Sequence, residues 1–191
     1  MNTRYLTLGI GIVLLLLANA SNSAEIKTQR VRCTSSGTFV GGVETHLDTN
    51  GDGASAGVDQ GIDNCNIGRF FIQEVVEWQA PLPAPVTCPA DTLEFHIQQG
   101  HGVATEEKTG DQLFAEVATN DATLCFRESD FTFSGTTRGT FTGGTGKFTG
   151  ASGSFESQAT GKYLVFGVKE GVLGAFGQFN GTSTWTLSIP K

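Results

Sequence analysis

The segment FTGGTGKFTGASGSFE, residues 141–156, is the stretch that decides the fold class of this chain. Phenylalanine and threonine favour strands, whereas glycine marks turns and bends. Phenylalanines recur at intervals of eight, seven and seven residues, at Phe133, Phe141, Phe148 and Phe155. We interpret this part of the chain as successive β-hairpins with one aromatic residue each.

The rest of the chain extends the same pattern. Trp185, Leu187 and Ile189 alternate with small polar residues, and RFFIQEVVEWQ, residues 69–79, is a second run typical of a strand. With 26 glycines and one methionine, no long helical pattern is present after the N-terminal segment. We predict an all-β fold in which about eight antiparallel strands close into a barrel, because closure removes exposed edges. A β-sandwich stays open as an alternative, since periodicity alone does not separate the two.

The glycine-rich segment also carries a family resemblance. It resembles the G-T-G-x-F-x-G-A-x-G signature of secreted bacterial proteins related to the allene oxide cyclase and dirigent barrels. The matching residues are Gly144, Thr145, Gly146, Phe148, Gly150, Ala151 and Gly153. The resemblance implies an eight-stranded antiparallel barrel with an apolar central cavity. It also implies small-molecule chemistry, because plant members guide cyclisation or coupling of bound molecules and some bacterial relatives are cyclases.

The N-terminus predicts a signal peptide over residues 1–20. Arg4 precedes an apolar run from Leu6 to Leu17, and Ala18-Asn19-Ala20 fits a cleavage site. The run is shorter than the roughly 20 residues of a membrane-spanning helix, so we expect no membrane span in the mature chain. The prediction is export to the periplasm or beyond, with residues 21–191 forming a single β-barrel domain.

Four cysteines indicate two disulfides in an exported chain, and three pairings are possible. We favour Cys33–Cys65, which would close the base of an acidic loop, and Cys88–Cys125, which would tie a proline-rich connection to a later strand. The formal net charge is −7 and no basic cluster is present. An acidic chain of this kind is a poor candidate for binding nucleic acid.

An acidic, glycine-rich stretch is predicted as a loop insertion over residues 44–66. From Asp48 onward it follows the D-x-N-x-D-G spacing of a calcium loop. The candidate ligands are Asp48, Asn50, Asp52, the backbone carbonyl of Ala54, and Asp59. Their hard oxygen atoms suit a structural Ca²⁺. The alternative is an acidic surface turn in which Asp and Asn side chains bond their own backbone.

The run of residues 69–79 contains the best candidate for chemistry. With period two, Phe70, Ile72, Val76 and Trp78 share one face, and Glu74 lies in the middle of it. If this face lines a cavity, Glu74 is a carboxyl group in an apolar pocket, able to act as an acid or base. We also assign Trp185 to the pocket wall. If the strand is turned over, Glu74 lies in water.

A second run, TLEFHIQQ, residues 92–99, is interpreted differently. Leu93, Phe95 and Ile97 share one face, and His96 lies on the other beside Glu94. We predict that this second face is solvated.

Two functions follow from these observations. The first is an exported barrel of no enzymatic activity that binds a small apolar molecule in its cavity. The second is a cofactor-free cyclase or isomerase for a hydrophobic small molecule, with Glu74 as acid or base and Phe70, Trp78 and Trp185 as aromatic walls.

Overall fold

The computed structural model describes residues 25–42, 55–169 and 172–191. The predicted signal peptide and residues 44–54 of the predicted acidic loop lie outside these ranges. Within them the chain forms nine strands and one short 3-10 turn, and none of it forms a helix of the length and apolarity that crossing a bilayer requires. The strands are β1 (Ile26–Gly42), β2 (Ser55–Cys65), β3 (Gly68–Trp78), β4 (Leu93–Glu106), β5 (Gln112–Val117), β6 (Ala122–Arg127), β7 (Thr132–Gly144), β8 (Ser152–Lys169) and β9 (Val172–Pro190), with the 3-10 turn at Gly146–Phe148 between β7 and β8.

The strands close into an antiparallel barrel. Each strand from β1 to β4 pairs with the next, and β7, β8 and β9 lead back to β1. Strands β5 and β6 both lie between β4 and β7, end to end, so nine strands fill eight positions. The predicted all-β, eight-stranded barrel is therefore confirmed.

The interruption between β5 and β6 is local. Residues 118–121 turn out of the sheet there, and Asn120 adopts a left-handed conformation with φ of 67°. Its backbone N–H still donates to the Ile97 carbonyl on β4, at 2.9 Å. This backbone hydrogen bond links the turn to β4.

The prediction of successive hairpins with one aromatic each is wrong. Phe133 and Phe141 lie on the same strand, β7, and β8 and β9 are long strands of 18 and 19 residues. The reason is that glycine does not end these strands. Gly139 and Gly161 lie directly opposite Phe155 and Phe133 on the neighbouring strand, and a Cβ at either glycine would overlap the facing ring. The rings cover the glycines, and the paired strands continue.

One end of the barrel is solidly packed, and we call it the packed end. Phe70 and Leu187 are fully buried there, and Phe148 of the 3-10 turn is buried in the same cluster. The Phe70 and Trp185 rings meet edge to face with centroids 5.4 Å apart. The Cys33–Cys65 disulfide joins β1 to β2 at this same end, which confirms the first predicted pairing.

The predicted loop is wrong over its second half. Residues 55–65 form β2, which pairs along its length with β3 and over most of it with β1. The chain alternates Gly57, Asp59, Gly61 and Asp63 with residues that face outward. This is the period-two pattern of a strand, with small and acidic residues at the inward positions. Apolar residues are not needed there because the inward face of this strand borders a cavity and not packed side chains.

Candidate ligand-binding cavity

A cavity of about 200 Å³ lies inside the barrel, bordering the packed end. Every one of the nine strands contributes to its wall. Aromatic side chains form much of that wall, among them Phe39, Phe133, Phe155, Tyr163, Phe179 and Trp185. Three carboxylic acids, Asp59, Asp63 and Glu74, face the same space. The interior is therefore an apolar chamber with an acidic side.

The strand register places the two key acids next to each other. Glu74 on β3 lies directly opposite Asp59 on β2, and Asp59 lies opposite Phe39 on β1. On its other side Glu74 faces Gly102 of β4. A Cβ at Gly102 would lie 3.0 Å from Cγ of Glu74, so the glycine leaves room for the glutamate side chain.

The row continues across two further strands. Phe39 lies opposite Gly177 of β9, and Gly177 lies opposite Tyr163 of β8. The Phe39 and Tyr163 rings meet edge to face with centroids 4.8 Å apart. Two carboxyl groups and two aromatic rings thus follow one another around the inside of the barrel.

Glu74 and Asp59 are titratable groups without hydrogen-bond partners among the described residues. Desolvation by burial raises the pKa of Glu74 to about 8, and the neighbouring charges of Asp59 and Asp63 add to this effect. Burial alone raises the pKa of Asp59 to about 6. At neutral pH the pair therefore holds a largely protonated Glu74 beside a largely ionised Asp59.

Other groups of the chamber respond to this charge. Burial, together with the charge of Asp59, raises the pKa of Tyr163 to about 12, so its phenol stays neutral. Among the residues that the structure describes, no lysine, arginine or histidine lines the cavity. The negative charge of the pair therefore has no cationic side chain to balance it from this part of the chain.

Asp63 differs from the other two acids because it has partners. The Ser183 hydroxyl donates to Oδ2 of Asp63 at 3.5 Å, and Nε1 of Trp185 donates to the Ser183 oxygen at 3.0 Å. Burial raises the pKa of Asp63, while hydrogen bonds from Ser35 and Ser183 lower it. Asp63 thus belongs to a short series of hydrogen-bonded side chains, whereas Asp59 and Glu74 have no hydrogen-bond partner among the described residues.

The predicted pocket residues divide into two groups. Glu74, Ile72, Trp78 and Trp185 line the cavity, so of the two orientations left open for β3 the structure has the one that directs this face inward. Phe70 and Val76 point to the same side of the strand but lie in packed clusters, Phe70 at the packed end and Val76 against Ile97 and Ala122. They support the wall and do not form its surface.

The predicted calcium ligands are also divided. Asp48, Asn50, Asp52 and Ala54 lie outside the described residues, so a calcium ion held by them stays a prediction. Asp59 instead belongs to β2 with its carboxyl group at the cavity, and a calcium loop would need a different ligand at its twelfth position.

A further acidic grouping does not make a metal site. Cys33, Cys65 and Asp63 lie close together, but the two sulfur atoms form a disulfide and are not thiolate ligands. Elsewhere in the described residues, no set of three acidic, histidine or cysteine side chains brings its ligand atoms within 4.8 Å of one another.

Glu94 is a second enclosed carboxylate, outside the barrel wall. It was predicted to face solvent, but its exposed fraction is 0%. The proline-rich segment, residues 79–92, folds back over β4 and covers it. The backbone N–H groups of Val86, Thr87 and Cys88 donate to its Oε2 at 2.6, 2.8 and 3.0 Å. The Cys88–Cys125 disulfide, the second predicted pairing, is confirmed and holds this segment in place.

The pKa of Glu94 shifts in the opposite direction from that of Glu74. Desolvation alone would raise it, but the hydrogen bonds from Cys88, Thr87 and Val86 outweigh desolvation and lower the pKa to about 2. Nε2 of His96 also lies 2.9 Å from Oε1 of Glu94. Glu94 is thus an ionised anchor for the proline-rich segment.

Asp59, Asp63 and Tyr163 also line the cavity and were not predicted as cavity residues. The alternation of Gly57, Asp59, Gly61 and Asp63 was the available signal for the two aspartates. It was assigned to a loop because its inward side chains are polar. Tyr163 carried no comparable signal.

Comparison with known proteins adds nothing to this description, because no protein-family model matches the chain and no curated protein was found to match it. The fold and the cavity define the class by themselves. The protein is a closed antiparallel barrel with an aromatic-walled, acidic interior and two disulfides.

Proposed function

We propose that the protein is an exported barrel that binds a small molecule inside its cavity. The observation that carries the proposal is Glu74: a carboxyl group without a hydrogen-bond partner among the described residues, directed into an aromatic-walled space. Buried polar groups normally have partners, and a group left open in a cavity marks a place where a ligand supplies them. The two disulfides are compatible with an oxidising compartment outside the cytosol.

The size of the chamber bounds the ligand. Ligand sites commonly enclose about 300–1,000 Å³, and a chamber of about 200 Å³ lies below that range, so it suits a molecule smaller than most ligands. The aromatic rings favour an apolar body, and the open carboxyl groups require at least one polar group on it.

The test is mass spectrometry of the protein purified from its native host, to identify any co-purified small molecule. Ala115 lines the cavity, and Ala115→Leu would fill part of it. Ala84 is exposed in the proline-rich segment, so Ala84→Leu adds the same atoms outside the cavity. The proposal predicts that Ala115→Leu loses the co-purified molecule and that Ala84→Leu keeps it. Equal recovery from both variants would contradict it.

The alternative is a cofactor-free cyclase or isomerase. It is favoured by one specific observation: an acid with a pKa of about 8 stands directly opposite one with a pKa of about 6. Such a pair offers a proton donor and a proton acceptor at the same pH. The resemblance of residues 144–153 to allene oxide cyclase and dirigent barrels points the same way.

Catalysis and binding are separable by experiment. Glu74→Gln keeps the shape of the side chain and removes its proton-transfer function. If the co-purified molecule is converted by the wild-type protein and only bound by Glu74→Gln, the barrel is an enzyme. If both proteins bind the molecule and neither converts it, the binding function stands alone.

A further inference from the structure

The charge balance of the cavity identifies the chemical class of its ligand. Three carboxylic acids face the chamber, and none of the described lining residues is cationic. A neutral hydrocarbon placed there would leave Asp59 desolvated and unpaired, which is costly in a space of low dielectric constant. An anion would be repelled. A cation would restore the missing partner.

The neighbours of the two open acids suit an organic cation. Asp59 lies beside Glu74 on one side and beside Phe39 on the other, and the Phe39 ring contacts that of Tyr163. An ammonium group placed against the face of an aromatic ring is attracted by its quadrupole, and the attraction increases where water is excluded. Carboxylate and ring faces together recognise a cation that is also apolar.

A bare metal ion fits these acids less well. The ligand oxygens of Asp59, Asp63 and Glu74 do not all lie within 4.8 Å of one another, since no such trio occurs among the described residues. Asp63 in addition already accepts from Ser183. A small hard ion needs several oxygens in one compact shell, whereas an alkylammonium group spreads its contacts over a larger surface.

We propose that the cavity takes a small organic cation, a protonated amine or quaternary ammonium compound, with its charge at Asp59 and Glu74 and its apolar part against the aromatic wall. This inference rests on the proposed binding function and specifies its ligand. Asp59 supplies the negative charge, Glu74 a hydrogen bond or a second charge, and Phe39 and Tyr163 the ring faces.

The experiment compares probes that differ in charge and little in shape. Calorimetry at pH 7.5 would measure binding of 2-phenylethylamine, which is protonated at that pH, of the neutral 2-phenylethanol and of the anionic phenylacetate. We expect the amine to bind at least tenfold more tightly than the alcohol, and the anion not to bind. An alcohol that binds as tightly as the amine would overturn the cation proposal and leave small-molecule binding intact. If no probe binds, both proposals are contradicted for ligands of this size.

Variants locate the charge recognition. Asp59→Asn removes the charge and is expected to reduce the preference for the amine over the alcohol to within a few fold. Glu74→Gln leaves Asp59 in place and is expected to reduce the preference by a smaller factor. Neither variant should change the affinity for the alcohol by much. Glu116 is exposed on β5, and Glu116→Gln serves as the control that makes the same acid-to-amide change away from the cavity. Circular dichroism would confirm that each variant is folded. An amine preference that survives in both cavity variants would contradict the assignment.

A calcium titration tests the alternative that the cavity binds a metal ion. CaCl₂ would be titrated into the wild-type protein and into Glu74→Gln, with and without the amine. The proposal predicts that calcium does not displace the amine and that Glu74→Gln does not alter calcium binding. Displacement of the amine by calcium, lost in Glu74→Gln, would assign the cavity to a metal ion instead.

Discussion

Glu74 and Glu94 lie on the adjacent strands β3 and β4, and each is enclosed by protein, yet their pKa values move apart to about 8 and about 2. The difference lies in hydrogen bonds. Glu94 receives four from the proline-rich segment, three from backbone N–H groups and one from the Thr87 hydroxyl. Glu74 receives none from the described residues and has the acid Asp59 opposite it. Enclosure by itself thus does not decide the protonation state of a carboxyl group, whereas the number of donors directed at it does.

The comparison also separates two uses of a buried acid. The chain itself supplies hydrogen-bond donors to Glu94, and these bonds hold the proline-rich segment in place. The described residues supply no hydrogen-bond donor to Glu74, which leaves its carboxyl group available to another molecule. A buried charged group that has hydrogen-bond partners within the protein contributes to stability. A buried charged group without such partners reduces stability unless a ligand occupies the site.

The largest effect is expected from the disulfide that anchors the Glu94 region. Replacing Cys88 and Cys125 by serine removes a link across 37 residues. Loop entropy for a link of that length gives a loss of about 4 kcal/mol in the free energy of unfolding. Urea unfolding at pH 7 would measure it. A loss below about 1 kcal/mol would mean that the proline-rich segment is held without the disulfide.

The next effect is that of Glu94→Gln. An amide presents an NH₂ group to donors that need an acceptor, so we expect a loss of about 3 kcal/mol in the free energy of unfolding. Glu116→Gln, at an exposed position, is the control and should change little. A variant that combines Glu94→Gln with the two serine replacements should lose less free energy of unfolding than the sum of the two separate losses, because both changes release the same segment. Full additivity would contradict this coupling.

Glu74→Gln is expected to act in the opposite direction and to depend on pH. A carboxyl group whose pKa is raised on folding stabilises the fold below its unfolded pKa of 4.5, and this contribution is lost as the pH rises through about 8. Wild-type stability should therefore fall more steeply between pH 5 and pH 9 than the stability of Glu74→Gln.

The measurement for this prediction is thermal unfolding of both proteins across that pH range. The lowered pKa of Glu94 makes its contribution disappear only on acidification toward about 2, so it does not interfere. Parallel pH profiles for the wild-type protein and Glu74→Gln would show that Glu74 titrates as it does in water.

The smallest effect is expected at the surface of the same segment. Asp91 accepts from Nε of Arg127 at 2.8 Å, with the two side chains 65% and 37% exposed. Exposed ion pairs contribute about 0.2–1 kcal/mol, so Asp91→Asn should cost less than 1 kcal/mol. A loss equal to that of Glu94→Gln would mean that the segment is held from outside and not by the buried carboxylate.

The sequence carried part of this comparison. The period-two pattern of residues 70–78 was enough to place Glu74 on an apolar face, because a strand offers only two faces. The two disulfide pairings were favoured among three possibilities because of the segments that each pair would close. Glycine, threonine and phenylalanine in short alternating runs predicted an all-β fold, and the barrel was favoured over a sandwich because closure removes exposed edges.

The remaining features depend on parts of the chain far apart in sequence. Asp59 became a cavity residue only because β3 and β1 pair on both sides of it, and its own neighbours Gly57 and Gly61 carry no apolar signal. The pattern of its own strand predicts that Glu94 faces solvent. It is buried because residues 86–88 fold back over β4 and cover it. The long strands of the tail depend on rings that cover glycines of a neighbouring strand, as Phe155 covers Gly139.

The most direct test of the central claim, that Glu74 is an open carboxyl group and Glu94 a closed one, is a pH titration by NMR of the ¹³C-labelled glutamate carboxyl groups, with Glu74→Gln and Glu94→Gln used for assignment. We predict midpoints of about 8 for Glu74 and about 2 for Glu94. A Glu74 that titrates near 4.5, like a glutamate in water, would contradict it.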